Sequence, residues 1–128
     1  VKRQVTTTRR ALIAIALGVV IHLNASPTVL AAEKPIRFWN LTSATVTELR
    51  FAPVGSGKFG ADQCKNDKDG GVDHDERLPI TGLAPGRCDL KIGYKGGKTC
   101  MVANVAIGSG KVFPLEDKDL NDCSTGAR

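Results

Sequence analysis

Leu78-Pro79-Ile80-Thr81-Gly82-Leu83-Ala84-Pro85-Gly86-Arg87-Cys88-Asp89-Leu90-Lys91-Ile92-Gly93-Tyr94 is the stretch that decides the fold. A short apolar start meets a turn rich in glycine and proline. An alternating run follows, with Cys88, Leu90, Ile92 and Tyr94 set against Arg87, Asp89 and Lys91. Period-two alternation puts the first set on one face of a strand and the second on the other. Lys95-Gly96-Gly97 comes next, and adjacent glycines supply the positive φ of a hairpin turn. Thr99 to Ile107 is more continuously apolar, as expected of a central strand.

Working outward, the same signals recur. Gly108-Ser109-Gly110 predicts a tight turn and Lys111 to Leu115 a last strand. Pro114 lacks the amide for a ladder bond, which predicts an edge position. Upstream, Ile36 to Leu41 roughly alternates. Thr45 to Phe51 predicts a strand with Val46, Glu48 and Arg50 on one face and Thr47, Leu49 and Phe51 on the other, ended by Pro53 and Gly55. Residues 54–76 read as a long polar loop. No convincing helical period follows residue 32. Short strands with closely spaced turn signals predict an all-β sandwich over about residues 35–116.

Residues 78–92 resemble part of the prealbumin-like and Cna-B-like sandwich domains, whose pattern is strand, Gly-Leu-x-Pro-Gly, an aromatic residue, then an alternating strand. Gly82, Leu83, Pro85 and Gly86 match. Cys88 stands at the aromatic position, which suggests a disulfide in place of a packed ring. The resemblance implies a sandwich and no activity. From Phe38-Trp39-Asn40 through Phe51-Ala52-Pro53-Val54-Gly55 to Cys123, the chain also resembles a family of small secreted bacterial proteins of unassigned role. That likeness implies export and carries over no catalytic residue.

The chain has 128 residues and a net charge of +5. Much of that charge lies in the N-terminal segment. Lys2, Arg3, Arg9 and Arg10 precede an apolar run from Ala11 to Leu23, and small residues follow up to Ala32. This is the layout of a secretory signal peptide over residues 1–31, with cleavage after Ala31. The run is shorter than the roughly 20 apolar residues of a spanning helix. Thr8-Arg9-Arg10-Ala11-Leu12 resembles a twin-arginine signal without its usual Phe, so either export route fits. The expected organisation is a signal peptide, 1–31, and one domain, 32–128. Removing residues 1–31 takes four of the 18 Lys and Arg and none of the 13 Asp and Glu, leaving a net charge of +1. A nucleic-acid partner loses its support, because the remaining bases alternate with acids. No stable membrane anchor is expected, with no second apolar span and no cysteine just past the cleavage point.

Cys64, Cys88, Cys100 and Cys123 all fall in the exported part. An even number in a short exported chain implies disulfides, in the periplasm or the secreted medium. A hairpin through Lys95–Gly97 sets Cys88 opposite Asn104 and Cys100 opposite Ile92. Cys88 and Cys100 are then about 13 Å apart along the ladder, beyond the ~7 Å that a disulfide spans. Cys64–Cys88 with Cys100–Cys123 closes shorter loops than Cys64–Cys100 with Cys88–Cys123 and is preferred, with both open. The absence of a C-x-x-C pair argues against zinc.

Most chemistry motifs fail on context. Gly55-Ser56-Gly57-Lys58-Phe59-Gly60 matches G-x-G-x-x-G, but Asp62 to Asn66 begins no apolar helical stripe to hold a pyrophosphate. Gly57-Lys58 is followed by Phe59, where a P-loop needs Ser or Thr. There is no G-x-S-x-G, and His74 has no nucleophile nearby in sequence. The acidic loop has a mechanism. With Lys65 at position 1 of a calcium loop, Asp67, Asp69, Asp73 and Glu76 fall at positions 3, 5, 9 and 12, and Gly70 at the sharp turn. Lys65 replaces the first carboxylate and the flanks are not helical, so only weak calcium binding is expected; no other cofactor is implied. Two function classes follow. The first is a non-catalytic exported module that presents loop 54–76 to an envelope or extracellular protein. The second is an envelope accessory enzyme or enzyme inhibitor, which a deep cleft holding His74 with a carboxylate and a Ser or Thr would favour.

Overall fold

The computed structural model describes residues 34–126. The proposed signal peptide and its cleavage point lie outside them. The described residues all fall within one compact unit. Its strands are β1 (Ile36–Leu41), β2 (Val46–Pro53), β3 (Arg77–Ile80), β4 (Gly86–Tyr94), β5 (Lys98–Ile107), β6 (Val112–Glu116) and β7 (Asp122–Thr125). One sheet has the order β3-β1-β6 and the other β2-β4-β5-β7. The inner faces meet through aromatic side chains. Phe113 of β6 lies 5.3 Å from Phe38 of β1 and 5.8 Å, edge-on, from Phe51 of β2. Leu49, Leu90, Ile92 and Leu78 complete this core, all at 1 % exposure or less. The all-β sandwich expected from the alternation is the architecture found.

The β4–β5 hairpin forms around Gly96 and Gly97, both at positive φ, and pairs Ile92 with Cys100 as expected. Farther from the turn the register slips. Cys88 pairs with Val105, not Asn104, because a β-bulge intervenes. Asn104 takes the left-handed conformation (φ 58°), and its amide donates to Asp89 Oδ1 at 2.9 Å. Arg87 Nη2 donates to the Asn104 carbonyl at 3.0 Å. A short polar side chain that tolerates positive φ makes Asn104 a fitting bulge residue. A second irregularity, between Val46 and Glu48, corrects the expected faces of β2: Val46 is buried along with Leu49 and Phe51.

Pro114 does sit on an edge strand, since β6 is outermost and pairs parallel to β1. The turn Thr81–Pro85 carries the chain from one sheet to the other. Gly82 (φ 68°) and Gly86 (φ 145°) take conformations that favour glycine there. Leu83 packs partly buried against the core. β7 has no period-two signal in the sequence. It is paired to β5 by the Cys100–Cys123 disulfide, whose Cα atoms are 4.0 Å apart.

The second expected disulfide does not form: Cys64 and Cys88 are free, buried thiols. Cys64 packs beside the start of β2, with Sγ 3.7 Å from the Val46 carbonyl. Cys88 lies across from Pro53, at its end. The length of β2, roughly 20 Å at the usual rise, separates them. Cys88 therefore fills its site as a small apolar side chain, and no disulfide stands in for the missing ring.

Candidate functional site

The acidic segment is not a freely presented loop. Its middle closes one flank of the sandwich, where the edges of β2 and β3 would otherwise be bare. Val46 and Val72 exchange backbone hydrogen bonds of 2.9 and 2.8 Å. The Leu49 amide donates to Asp62 Oδ1 at 3.0 Å, and the Gly60 amide to the Phe51 carbonyl at 2.9 Å. On the β3 side, the Gln63 amide group bonds both backbone groups of Thr81, and Asn66 Nδ2 donates to the Pro79 carbonyl, all at 3.0 Å. Cys64 and Val72 thereby become core residues at 1 % and 0 % exposure. Side chains and loop backbone thus stand where another strand would pair, which removes an aggregation-prone edge.

Asn40 anchors this wall. It is fully buried, and its side chain makes four hydrogen bonds. Nδ2 donates to the Ala44 carbonyl at 3.0 Å and to the Val72 carbonyl at 2.8 Å. Oδ1 accepts from the Thr42 amide at 3.0 Å and its hydroxyl at 2.6 Å. On the outer face, Trp39 is clamped beside the same segment. Its Nε1 donates to Asp75 Oδ1 at 2.9 Å, and the Arg77 guanidinium lies 4.1 Å from the ring centre.

The four proposed calcium ligands, Asp67, Asp69, Asp73 and Glu76, line one open cleft of about 350 Å3, together with Thr45, Thr47 and Lys95. Three of them already accept hydrogen bonds. Asp67 Oδ2 accepts from the Asp69 amide at 2.8 Å, Glu76 Oε2 from the Asp73 amide at 2.8 Å, and Asp73 Oδ1 from the Thr45 hydroxyl at 2.6 Å. Among the described residues, no group of three or more His, Cys, Asp or Glu side chains is placed to hold a metal ion. The turn from Asp73 to Glu76 is instead a self-capped turn, with Asp75 at φ 66°.

His74 is exposed, does not line that cleft, and has Nδ1 2.9 Å from the Thr42 carbonyl. Neither free cysteine is an activated nucleophile. Burial, with the Asp62 carboxylate beside it, pushes the Cys64 thiol up from 9.0 to about 12. Burial and Asp89 also raise Cys88. A nucleophilic thiol needs the opposite shift. The Gly55–Gly60 segment leads into a single 3-10 turn, Gln63–Asn66, and offers no helix N-terminus to a phosphate.

The far end of the sandwich has a different character. A cavity of about 450 Å3 is lined by Phe51, Ala52, Pro53, Leu83 and Pro85, with Lys58 and Arg87 at its rim. Leu83 and Pro85 also line a neighbour of about 160 Å3 that reaches Lys34, and Lys34 in turn lines a third, of about 380 Å3, with Arg37 and Val112. No Asp or Glu lines any of these three. Among the described residues, the exposed large hydrophobic side chains are Val54 (51 %), next in sequence to the cavity-lining Pro53, and Val112 (40 %), which lines the third cavity. The nearby Asp89 is occupied: the amides of Gly55 and Asn104 donate to it and hold its carboxyl below the usual range. The sandwich is thus acidic at one end and basic and apolar at the other. The sequence gives little hint of the second, because four separate segments build it.

No family model matches the chain, and no similar protein was found among curated proteins or solved structures. The Cys100–Cys123 bond fits an oxidising compartment. No helix among the described residues is long and apolar enough to cross a membrane.

Proposed function

We propose that this chain is a non-catalytic exported binding module of the periplasm or the secreted medium, and that it binds through the end built around Leu83 and Pro85. One observation carries the reading: exposed apolar side chains, a mainly apolar cavity beside two mixed ones, and a set of cations lie together there. Contiguous exposed apolar surface rimmed by polar groups marks interaction sites. The N-terminal segment supports export, as does the disulfide. The enzyme reading draws no support from His74, Cys64 or Cys88 as they are placed. Weak calcium binding by Asp67, Asp69, Asp73 and Glu76 is a second reading, favoured by their sharing one cleft.

Site-specific photo-crosslinking in the native host tests the primary reading. A photoreactive residue at Val54 should give adducts, to protein or to lipid, and one at Asp69 should give none. Adducts from Asp69 alone, or from neither position, would overturn it.

A further inference from the structure

We infer that the Leu83–Pro85 end docks peripherally and reversibly on an anionic phospholipid bilayer. This rests on reading that end as the binding surface and names its partner. Interfacial binding needs apolar side chains to enter the headgroup region and cations to meet the lipid phosphates. Both are present across three cavities that share lining residues: Leu83, Pro85 and Val112 with Lys34, Lys58 and Arg87, flanked in sequence by the exposed Val54, after Pro53, and Lys111, before Val112.

Two observations favour a bilayer over a peptide. The first is the kind of contact on offer. A peptide adding to a sheet needs a free ladder edge, but at this surface the edge of β3 is taken by Gln63 and Asn66 and β6 carries Pro114, while the exposed edge strand β7 lies along Lys98–Met101, toward the acidic end. What remains is a set of shallow, open depressions ringed by cations. The second is chain continuity. The N-terminal segment, with its apolar run Ala11–Leu23, joins the domain at Lys34, inside this surface. The acidic cleft opens near the opposite end of β2, so an anionic surface repels that end and orients the domain.

Residues 32–128 include every described residue of the compact unit and suit a direct test. Flotation is done with vesicles of phosphatidylglycerol and phosphatidylcholine, and with phosphatidylcholine alone. Binding is expected to the mixed vesicles only and to fall as salt rises. Each cation near an anionic surface strengthens binding about fivefold, so Lys34→Glu/Lys58→Glu/Lys111→Glu should weaken it by at least about a hundredfold. Val54→Ser/Val112→Ser should weaken it at constant charge, with an unchanged circular dichroism spectrum. Lys65→Glu/Lys68→Glu, near the acidic end, should leave it intact. No binding, equal binding to both vesicles, or equal loss in the Lys65/Lys68 variant overturns the inference. Absent vesicle binding with a protein adduct at Val54 assigns the surface to a protein and leaves the module reading standing; absence of both removes both.

Discussion

The side-chain amide of Asn40 donates to the backbone carbonyl of Val72 at 2.8 Å, across 32 positions of sequence, and neither residue is exposed. This contact ties β1 to the acidic segment and holds one flank of the sandwich closed. Asn40→Ala should cost about 2–4 kcal/mol, because it leaves several buried donors and acceptors without partners. Urea denaturation of the wild type and variant measures the difference. A loss under about 0.5 kcal/mol, the usual range of a surface change, would mean that the network is not structural.

The Tyr94 hydroxyl is buried beside Thr42, but the Thr42 hydroxyl is taken by Asn40 Oδ1 at 2.6 Å, and no group meets the Tyr94 hydroxyl in good hydrogen-bond geometry. Removing an unsatisfied buried hydroxyl relieves a desolvation cost. Tyr94→Phe is therefore expected to be neutral or stabilising by up to about 1 kcal/mol. A clear destabilisation in thermal melts would show that the hydroxyl is bonded in solution.

Cys100–Cys123 closes a loop with a sequence separation of 23. A loop of that size is worth about 3 kcal/mol by the chain-entropy argument. β7 is wholly exposed, so nothing apolar holds it without the bond. The double variant Cys100→Ala/Cys123→Ala should lower the denaturation midpoint and let the Ser124 amide exchange quickly. Retained protection at Ser124 would show that the strand stands unaided.

The two free thiols, with Tyr94, contribute to the alkaline limb of stability, because burial raises all three. A thiol held protonated in the fold above its ordinary value stabilises the folded state fully below that value. The contribution is lost as pH rises, for Cys64 between 9.0 and about 12. Cys64→Ala should therefore flatten the fall in stability over that window, whatever it costs at pH 7. At neutral pH the native protein should react slowly with a thiol reagent and release two reactive thiols only on unfolding. Fast native labelling at Cys64 would contradict the burial.

How far each of these features could be read from sequence depended on local pattern. β4 and its turn were legible because Cys88, Leu90, Ile92 and Tyr94 keep a strict period of two into Gly96-Gly97. The slip at Asp89 and Asn104 was not, since a bulge depends on partner geometry and not on composition. Cys64 and Val72 are isolated apolar residues in a polar run, so no periodicity marked them as core. β7 is polar and four residues long, and Cys123 alone pointed to its place. The calcium spacing of Asp67, Asp69, Asp73 and Glu76 was visible, while the donors that occupy three of them come from the folded loop and from Thr45.

That occupancy gives the acidic cleft its own test. If these carboxylates serve the loop, calorimetric titration with millimolar calcium gives no binding heat, and Glu76→Gln lowers stability with or without calcium. Heat in the wild type that disappears in Glu76→Gln would favour the calcium reading.

The acidic segment is a wall of the sandwich and leaves the opposite end free to bind. Amide hydrogen exchange resolved by residue is the test, because Val46 and Val72 exchange backbone hydrogen bonds across the closed flank. Both amides should be protected like that of Ile92 in β4. Exchange at Val72 as fast as at Gly57, in the exposed turn after β2, would contradict it.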